Sequence, residues 1–448
     1  MPPYRPIRAA ALAAMLASLA AVRANAQAPV DSSLAAFIAA IRAVDNHTHV
    51  NSVAPGDSES DAMPLDGIPP FPSAARNRFD NPEIAAALKT LYGYPYADLA
   101  DAHLSELRAA EQRVRQEQGT RFPEWALDHI GTGVMLANRV AMGPGLAPPR
   151  FRWVSYVDAL MLPLSTRGER IQTPDYQKLY PLEEKLLHRY LTDLGLSRIP
   201  ATLDAYVGRV VTPTLERQRQ AGAIAVKFEA AYLRALDFGD GPAAAARRIY
   251  ARYAAGGRPS HAEYTLLENY LFRVIAREAG RLGMAVHIHA FEGGGGFYRI
   301  AGSDPLLLEP ALNDSTLRGA NFVVVHGGGI FMPHTGALLA KPNVFADLSA
   351  MAVIYGAPSL AVTLRPWLEQ YPEKVLFGTD AFTLSPEVGW EVVALMGGNT
   401  VRQALAIALT GMMRDGEITR PRAEEIATMV MRGNALKLYS LCASGSCP

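Results

Sequence analysis

Six side chains able to bind a metal ion close short apolar runs, in the order His-x-His, Lys, His, His, Asp. They are His47 and His49 in AVDNHTHV, Lys227 in AIAVKFEA, His289 in MAVHIHA, His326 in NFVVVHGG and Asp380 in KVLFGTDA. Imidazole nitrogen and carboxylate oxygen are the donors that zinc takes in catalytic sites, where one position stays open for water. In His47-Thr48-His49 the rings are two residues apart, and on a strand that spacing turns both to one face. An ion held there would lower the pKa of its water and polarise a substrate carbonyl. Asp380 is placed either to ligate that ion or to take the proton from the water.

The other members of the set leave alternatives open. Lys227 lies in an apolar run, where burying an ammonium is costly. It either reaches a polar mouth and pairs with a carboxylate such as Glu229, or is carboxylated by carbon dioxide and bridges two ions. His326 either ligates a second ion or, as a neutral ring, orients substrate. His287 shares the strand face of His289 and competes for its role; His289 is preferred because it stands nearer the strand end. Asp347, in NVFADLSA, reads as an acceptor that fixes a ligand histidine. His103, His129, His188 and His261 fall in helical or loop stretches and read as surface or structural. His129 and Arg139 are candidate substrate contacts, and His334 lies where it would line the pocket. Packing explains single histidines on strands; it does not explain an ordered set in which each member ends a strand-like run.

The elements that must hold these groups alternate. Asp31 to Arg42 is expected to be a helix leading into a first strand, Ala43 to Asn46. Residues 51–81 are rich in Pro, Gly, Ser, Asp and Asn, the composition of a long loop. Glu83 to about Arg121 has a helical pattern. No strand is evident from there to Pro149, so residues 51–149 read as an insertion after the first strand. FRWVSYVDAL is expected to be a strand, Ala201 to Ala221 a helix, and from AIAVKF onward strands and helices follow regularly. Such alternation argues for parallel βαβ units. A parallel barrel would gather the strand-end groups at its C-terminal mouth. Four consecutive glycines, Gly293 to Gly296, suggest a flexible loop beside the site, or an anion-binding nest.

Composition narrows the classes. The chain has 448 residues, 49% of them hydrophobic, enough for a large core. Lys plus Arg and Asp plus Glu number 43 each, so no basic excess points to nucleic acid. Arg5 and Arg8, the apolar run from Ala9 to Val22, and Ala24-Asn25-Ala26 have the form of a cleavable secretory signal over residues 1–26. Export to the periplasm or medium is therefore expected, and no later segment is expected to cross a membrane. The only two cysteines, Cys442 and Cys447, lie in a C-terminal tail (442–448) and form either a small disulfide loop or two free thiols.

HTH, the strand lysine, IHA, VVVHGG, FADLS, FGTDAF and the terminal GNALKLY run together resemble the amidohydrolase superfamily, in its amidohydrolase-related (type 2) branch. The resemblance is carried mostly by Ala223 to Leu441. It implies an α/β fold, a (β/α)8 TIM barrel over residues 27–441, with the 51–149 insertion shaping the pocket. It also implies one or two divalent metal ions, zinc being expected. His47, His49 and Asp380 would hold the first; His289 and His326, bridged by a carboxylated Lys227, would hold the second. With one ion, His289 joins the first site and His326 becomes an acid, a base or an orienting group. The implied activity is hydrolysis of an amide, ester or lactone in a small molecule, with Asp380 and His326 catalytic. Decarboxylation of an aromatic acid, or isomerisation of a uronate, is the alternative on the same scaffold; an exported metal- or solute-binding protein is a second. The reading allows a homo-oligomer, and expects neither a nucleic-acid partner nor stable membrane insertion once the signal is removed.

Overall fold

The computed structural model describes residues 29–51, 53, 57, 59 and 74–442. The expected signal segment, most of the loop after the first strand and the tail beyond Cys442 lie outside the described residues. Cys442 is disulfide-bonded, and the chain's other cysteine, Cys447, is also outside them.

Eight parallel strands follow one another around a single sheet: β1 (Ala43–Thr48), β2 (Thr132–Arg139), β3 (Phe151–Tyr156), β4 (Ala223–Phe228), β5 (Ala285–His289), β6 (Phe322–Val325), β7 (Val344–Asp347) and β8 (Val375–Leu376). Each pairs in parallel with the next. β8 is only two residues long, but the chain beyond it runs along β1. Asn46 N donates to Phe377 O at 2.9 Å, Asp380 N to His47 O at 2.9 Å and His49 N to Ala381 O at 2.7 Å. These bonds nearly close the barrel and bring the FGTDA segment against the HTH segment.

The strands are buried on both faces, as a parallel barrel with an outer helical ring requires. Val44, Leu136, Val154, Val325 and Leu376 pack with Tyr439 and Leu441 in one apolar cluster. The C-terminal GNALKLYSL segment therefore plugs the barrel. Alternate residues such as Val226, Phe228, Val286 and Ile288 belong to a second, larger cluster with the surrounding helices. Burying each such side chain contributes about 1.5–3 kcal/mol.

Four expectations change. Residues 51–149 are not one insertion, because β2 lies within them as a strand of the barrel. Its sequence, TGVMLANR, is buried throughout and so lacks the alternation that marks a half-exposed strand. The helical excursion ends at Ile130, and its long helix is two, Pro82–Tyr92 and Asp101–Gln118, divided after Gly93 at φ 69°. FRWVSYVDAL is a strand only to Tyr156, after which Asp158–Met161 forms one helical turn. Finally, the helix Trp390–Arg414 is long and apolar enough to cross a membrane, contrary to expectation, but 78% of that stretch is buried inside the protein. It packs against Ser32–Ala40, Pro82–Tyr92 and Ala357–Gln370, and that packing accounts for its apolar character.

Candidate metal centre

The strand ends bring all six sequence-selected groups into one cluster. His47 and His49 lie at the end of β1. His47 Nε2 is 3.3 Å and His49 Nε2 3.5 Å from Asp380 Oδ1. Asp380 Oδ2 is 3.8 Å from His326 Nδ1. Lys227 Nζ, from β4, is 3.2 Å from His47 Nε2. His289 Nδ1, ending β5, faces His326 Nε2 at 3.0 Å. The cluster is almost wholly buried.

The backbone that presents two of these groups is unusual. His326 has φ 67° and Asp380 φ 58°, a region that non-glycine residues enter at a cost of order 1–3 kcal/mol. The three glycines after His326 make the turn possible. At Gly329 (φ 54°), a Cβ would stand 2.0 Å from the Glu292 carboxylate. That carboxylate accepts from Ile330 N at 3.2 Å and ties the turn to the β5 loop.

Neighbours orient each ring. Asn138 Nδ2 is 3.0 Å from His47 Nδ1, and Tyr156 Oη is 3.2 Å from His49 Nδ1. Ser349 Oγ donates to Asp347 Oδ1 at 2.6 Å. The same oxygen is 2.9 Å from His326 Nδ1, so it accepts the proton of that nitrogen and leaves His326 Nε2 bare toward His289. Asp347 Oδ1 also accepts from His326 N at 2.9 Å. Asp347 thus fixes His326 as expected of it, through the backbone and through Ser349.

Burial pushes the pKa values of His47, His289 and His326 well below the ordinary histidine range. The charge of Lys227 adds to this at His47 and His289, and the neighbouring His289 adds to it at His326. Neutral rings with available lone pairs are what a metal ion needs. The spacing agrees. Donors about 2.0–2.1 Å from a tetrahedral zinc stand about 3.3 Å from one another, and the two Asp380 contacts above are at that separation. Among the described residues, His47, His49 and Asp380 each offer a ligand atom within 4.8 Å of the others. His289 Nδ1 and His326 Nε2 form a second donor pair, and Lys227 stands beside His47. The residues fit a divalent ion, with room in the donor set for one or two.

Other candidates lie elsewhere. His287 points below the cluster, where Nε2 is 2.7 Å from Tyr439 Oη. Tyr439 in turn donates to Asn46 Oδ1, and Asn46 Nδ2 donates to Asp347 Oδ2 at 2.6 Å. His287 is therefore a floor residue. Arg139 is fully buried and pairs with Asp57 and with the carbonyl oxygens of Val50 and Ala141, so it anchors the loop after β1 and is not a substrate contact. His129 is exposed at the end of the helix preceding β2 and bonds to Trp125 O, away from the mouth. His334 pairs with Asp304 at 2.8 Å, and His261 with Glu169 at 2.7 Å. Asn138, Tyr156 and Ser349 were not anticipated. Asn138 is the last residue but one of β2, so recognising that strand would have pointed to it; Tyr156 and Ser349 are common residue types with no sequence signal. Tyr232, whose ring centroid is 4.3 Å from that of His289, was missed for the same reason.

The amidohydrolase type 2 family model matches residues 198–441, more than half of the chain. The protein belongs to the amidohydrolase family. The superfamily is one of metal-dependent enzymes, and the cluster above is where such an ion fits. Solved structures share the fold at low identity. A Lactobacillus casei protein, provisionally named a metal-dependent hydrolase, is 15% identical, with 91% of this chain and 97% of that one covered and a TM-score of 0.57. Uronate isomerase from Thermotoga maritima is 13% identical, with coverage of 92% and 98% and a TM-score of 0.57. Glucuronate isomerase from Caulobacter crescentus is 12% identical, with coverage of 93% and 95% and a TM-score of 0.58. A search of curated protein sequences gave no match.

Proposed function

We propose that this amidohydrolase is a metal-dependent hydrolase that adds water to the carbonyl of an amide, ester or lactone. The observation that carries the reading is the position of Asp380. One oxygen stands against His47 and His49, and the other faces His326. A carboxylate so placed can share in holding an ion and still receive a proton. His47, His49 and Asp380 would hold the first ion. Lys227, if carboxylated, would join it to a second held by His289 and His326. When bound, the metal supplies an activated water and a positive charge for the carbonyl oxygen. Asp380 takes the proton of the attacking water and passes it to the leaving group. His326, held through Ser349, keeps its position while the proton moves. Asn138 and Tyr156 keep the His47 and His49 rings from turning.

The test has two parts. Purified protein should contain stoichiometric zinc or a similar ion, and Asp380→Asn should lower turnover by about 10²–10⁴-fold on a panel of esters, lactones and amides. In oxygen-18 water, label should enter the product. Unlabelled product with retained turnover would overturn the hydrolase reading.

Isomerisation of a uronate is the second reading, supported by the two isomerase structures of the same fold. Against it, two of the candidate arginines are already engaged, Arg139 with Asp57 and Arg234 with Glu268. The proposal also includes export, with cleavage near Ala26; N-terminal sequencing of protein from the producing cell tests it.

A further inference from the structure

A cavity of about 280 Å³ opens between the loops that follow β3, β4 and β5. Its walls include Tyr176, Tyr232, Phe297 and Tyr298. Tyr232 belongs to the metal centre as well, since its ring packs on His289 at 4.3 Å. One side chain therefore separates the cavity from the second donor pair.

The four-glycine run builds this cavity. A Cβ at Gly293 would stand 2.4 Å from Tyr176 Oη, and one at Gly295 would stand 2.3 Å from the Asp175 carboxylate. Without those carbons the β5 loop lies directly on residues 173–176. Tyr176 Oη accepts from Gly294 N and donates to Gly294 O, both at 2.8 Å. Asp175 Oδ2 accepts from Phe297 N at 2.7 Å. Tyr298 Oη donates to Ala231 O at 3.1 Å, joining the β5 loop to the β4 loop. The run is thus a clamped loop, and it holds Phe297, 72% exposed, at the rim.

Arg234 and His261, the charged groups set into the wall, are already satisfied. Arg234 donates to Glu268 at 2.6 Å, to Asn269 Oδ1 and Asp237 O at 2.8 Å, and to Ala235 O at 3.1 Å. His261 pairs with Glu169. Arg299 and Asp237 stand exposed at the rim, in water. What the cavity offers a ligand is a set of aromatic faces, which favour a flat apolar ring.

We infer that this cavity is the subsite for an aromatic group on the substrate, so that the enzyme acts on carbonyl compounds carrying an aryl ring near the scissile bond. The inference rests on the hydrolase reading above. Phenylacetyl and acetyl forms of one ester, and of one amide, supply the test with the metal-loaded full chain. The ratio of kcat/KM, aromatic over acetyl, should exceed about tenfold and fall toward one in Phe297→Ala and in Tyr298→Leu. A ratio near one in the parent protein, or unchanged in both variants, overturns the inference. Binding of phenylacetate, followed by ligand-observed NMR, separates it from the hydrolase reading. If no carbonyl probe turns over while phenylacetate binds and Phe297→Ala weakens it about tenfold, the subsite stands and the hydrolase reading fails. Turnover without aromatic preference removes the subsite alone.

Discussion

His287 and His289 share one face of β5, two residues apart, yet they belong to different layers of the barrel. His287 lies in a floor layer with Tyr439, Asn46 and Asp347, where hydrogen bonds run from the C-terminal plug to the strands. His289 lies one layer higher, where its Nδ1 faces another ring nitrogen at 3.0 Å and its Nε2 has no hydrogen-bond partner. Burial lowers the pKa of both, that of His287 to about 3. The two rings therefore have the same charge state and differ in what they meet. Below, His287 Nε2 meets the Tyr439 hydroxyl, while its Nδ1, like His289 Nε2, has no hydrogen-bond partner. Above, neutral ring nitrogens face one another, and their lone pairs suit a cation.

Breaking the upper layer should have the largest effect. Asp380→Asn is expected to lower kcat by about 10²–10⁴-fold, the range for loss of a general base. Steady-state kinetics on the best substrate of the panel checks it. The histidine pair gives the sharpest contrast. His289→Ala should lower bound metal, read by elemental analysis, together with activity. His287→Ala should retain metal and lose thermal stability; equal metal loss in both variants would erase the distinction between the layers. Asn138→Ala leaves the His47 ring unheld and should weaken metal affinity by about 10–100-fold, measured by competition with a chelator. Tyr439→Phe keeps the plug's shape but strands polar atoms in the floor, at a cost of about 1–3 kcal/mol in denaturant unfolding.

A further effect lies outside both layers. Burial, reinforced by the neighbouring Glu391, pushes Glu111 in the helical excursion up from an ordinary 4.5 to about 8. The folded state thus favours the protonated acid. Its stabilising share is present below about pH 4.5 and is lost as the pH rises through about 8. Glu111→Gln should match the parent protein's Tm in acid and exceed it above pH 8. An equal Tm difference at all pH values would remove this group as the cause.

The half of the barrel from β4 to β8 was legible because each strand is an apolar run, bounded by helices, with a conspicuous polar residue at its end. Asp347 was legible as a support for the same reason. β2 was not, because Met135, Leu136 and Ala137 at its centre are helix formers, unlike the Val- and Ile-bearing runs from β4 onward. With β2 went Asn138, and with it the true end of the excursion at Ile130. Arg139 illustrates the converse error. An arginine beside a candidate mouth reads as a substrate anchor until its partner, Asp57, is seen in space.

Sequence alone determined which residue types end which strands, since the donor groups are covalent facts and their order along the chain follows the barrel's order of strands. It also determined the branch of the family, through motifs that keep those ends recognisable. Only tertiary structure decided which histidine of a pair faces the donor cluster, which arginine is already paired, and that a run of glycines serves to let two loops touch. Those outcomes depend on depth and on contacts between residues far apart in the chain, and local periodicity carries no record of either.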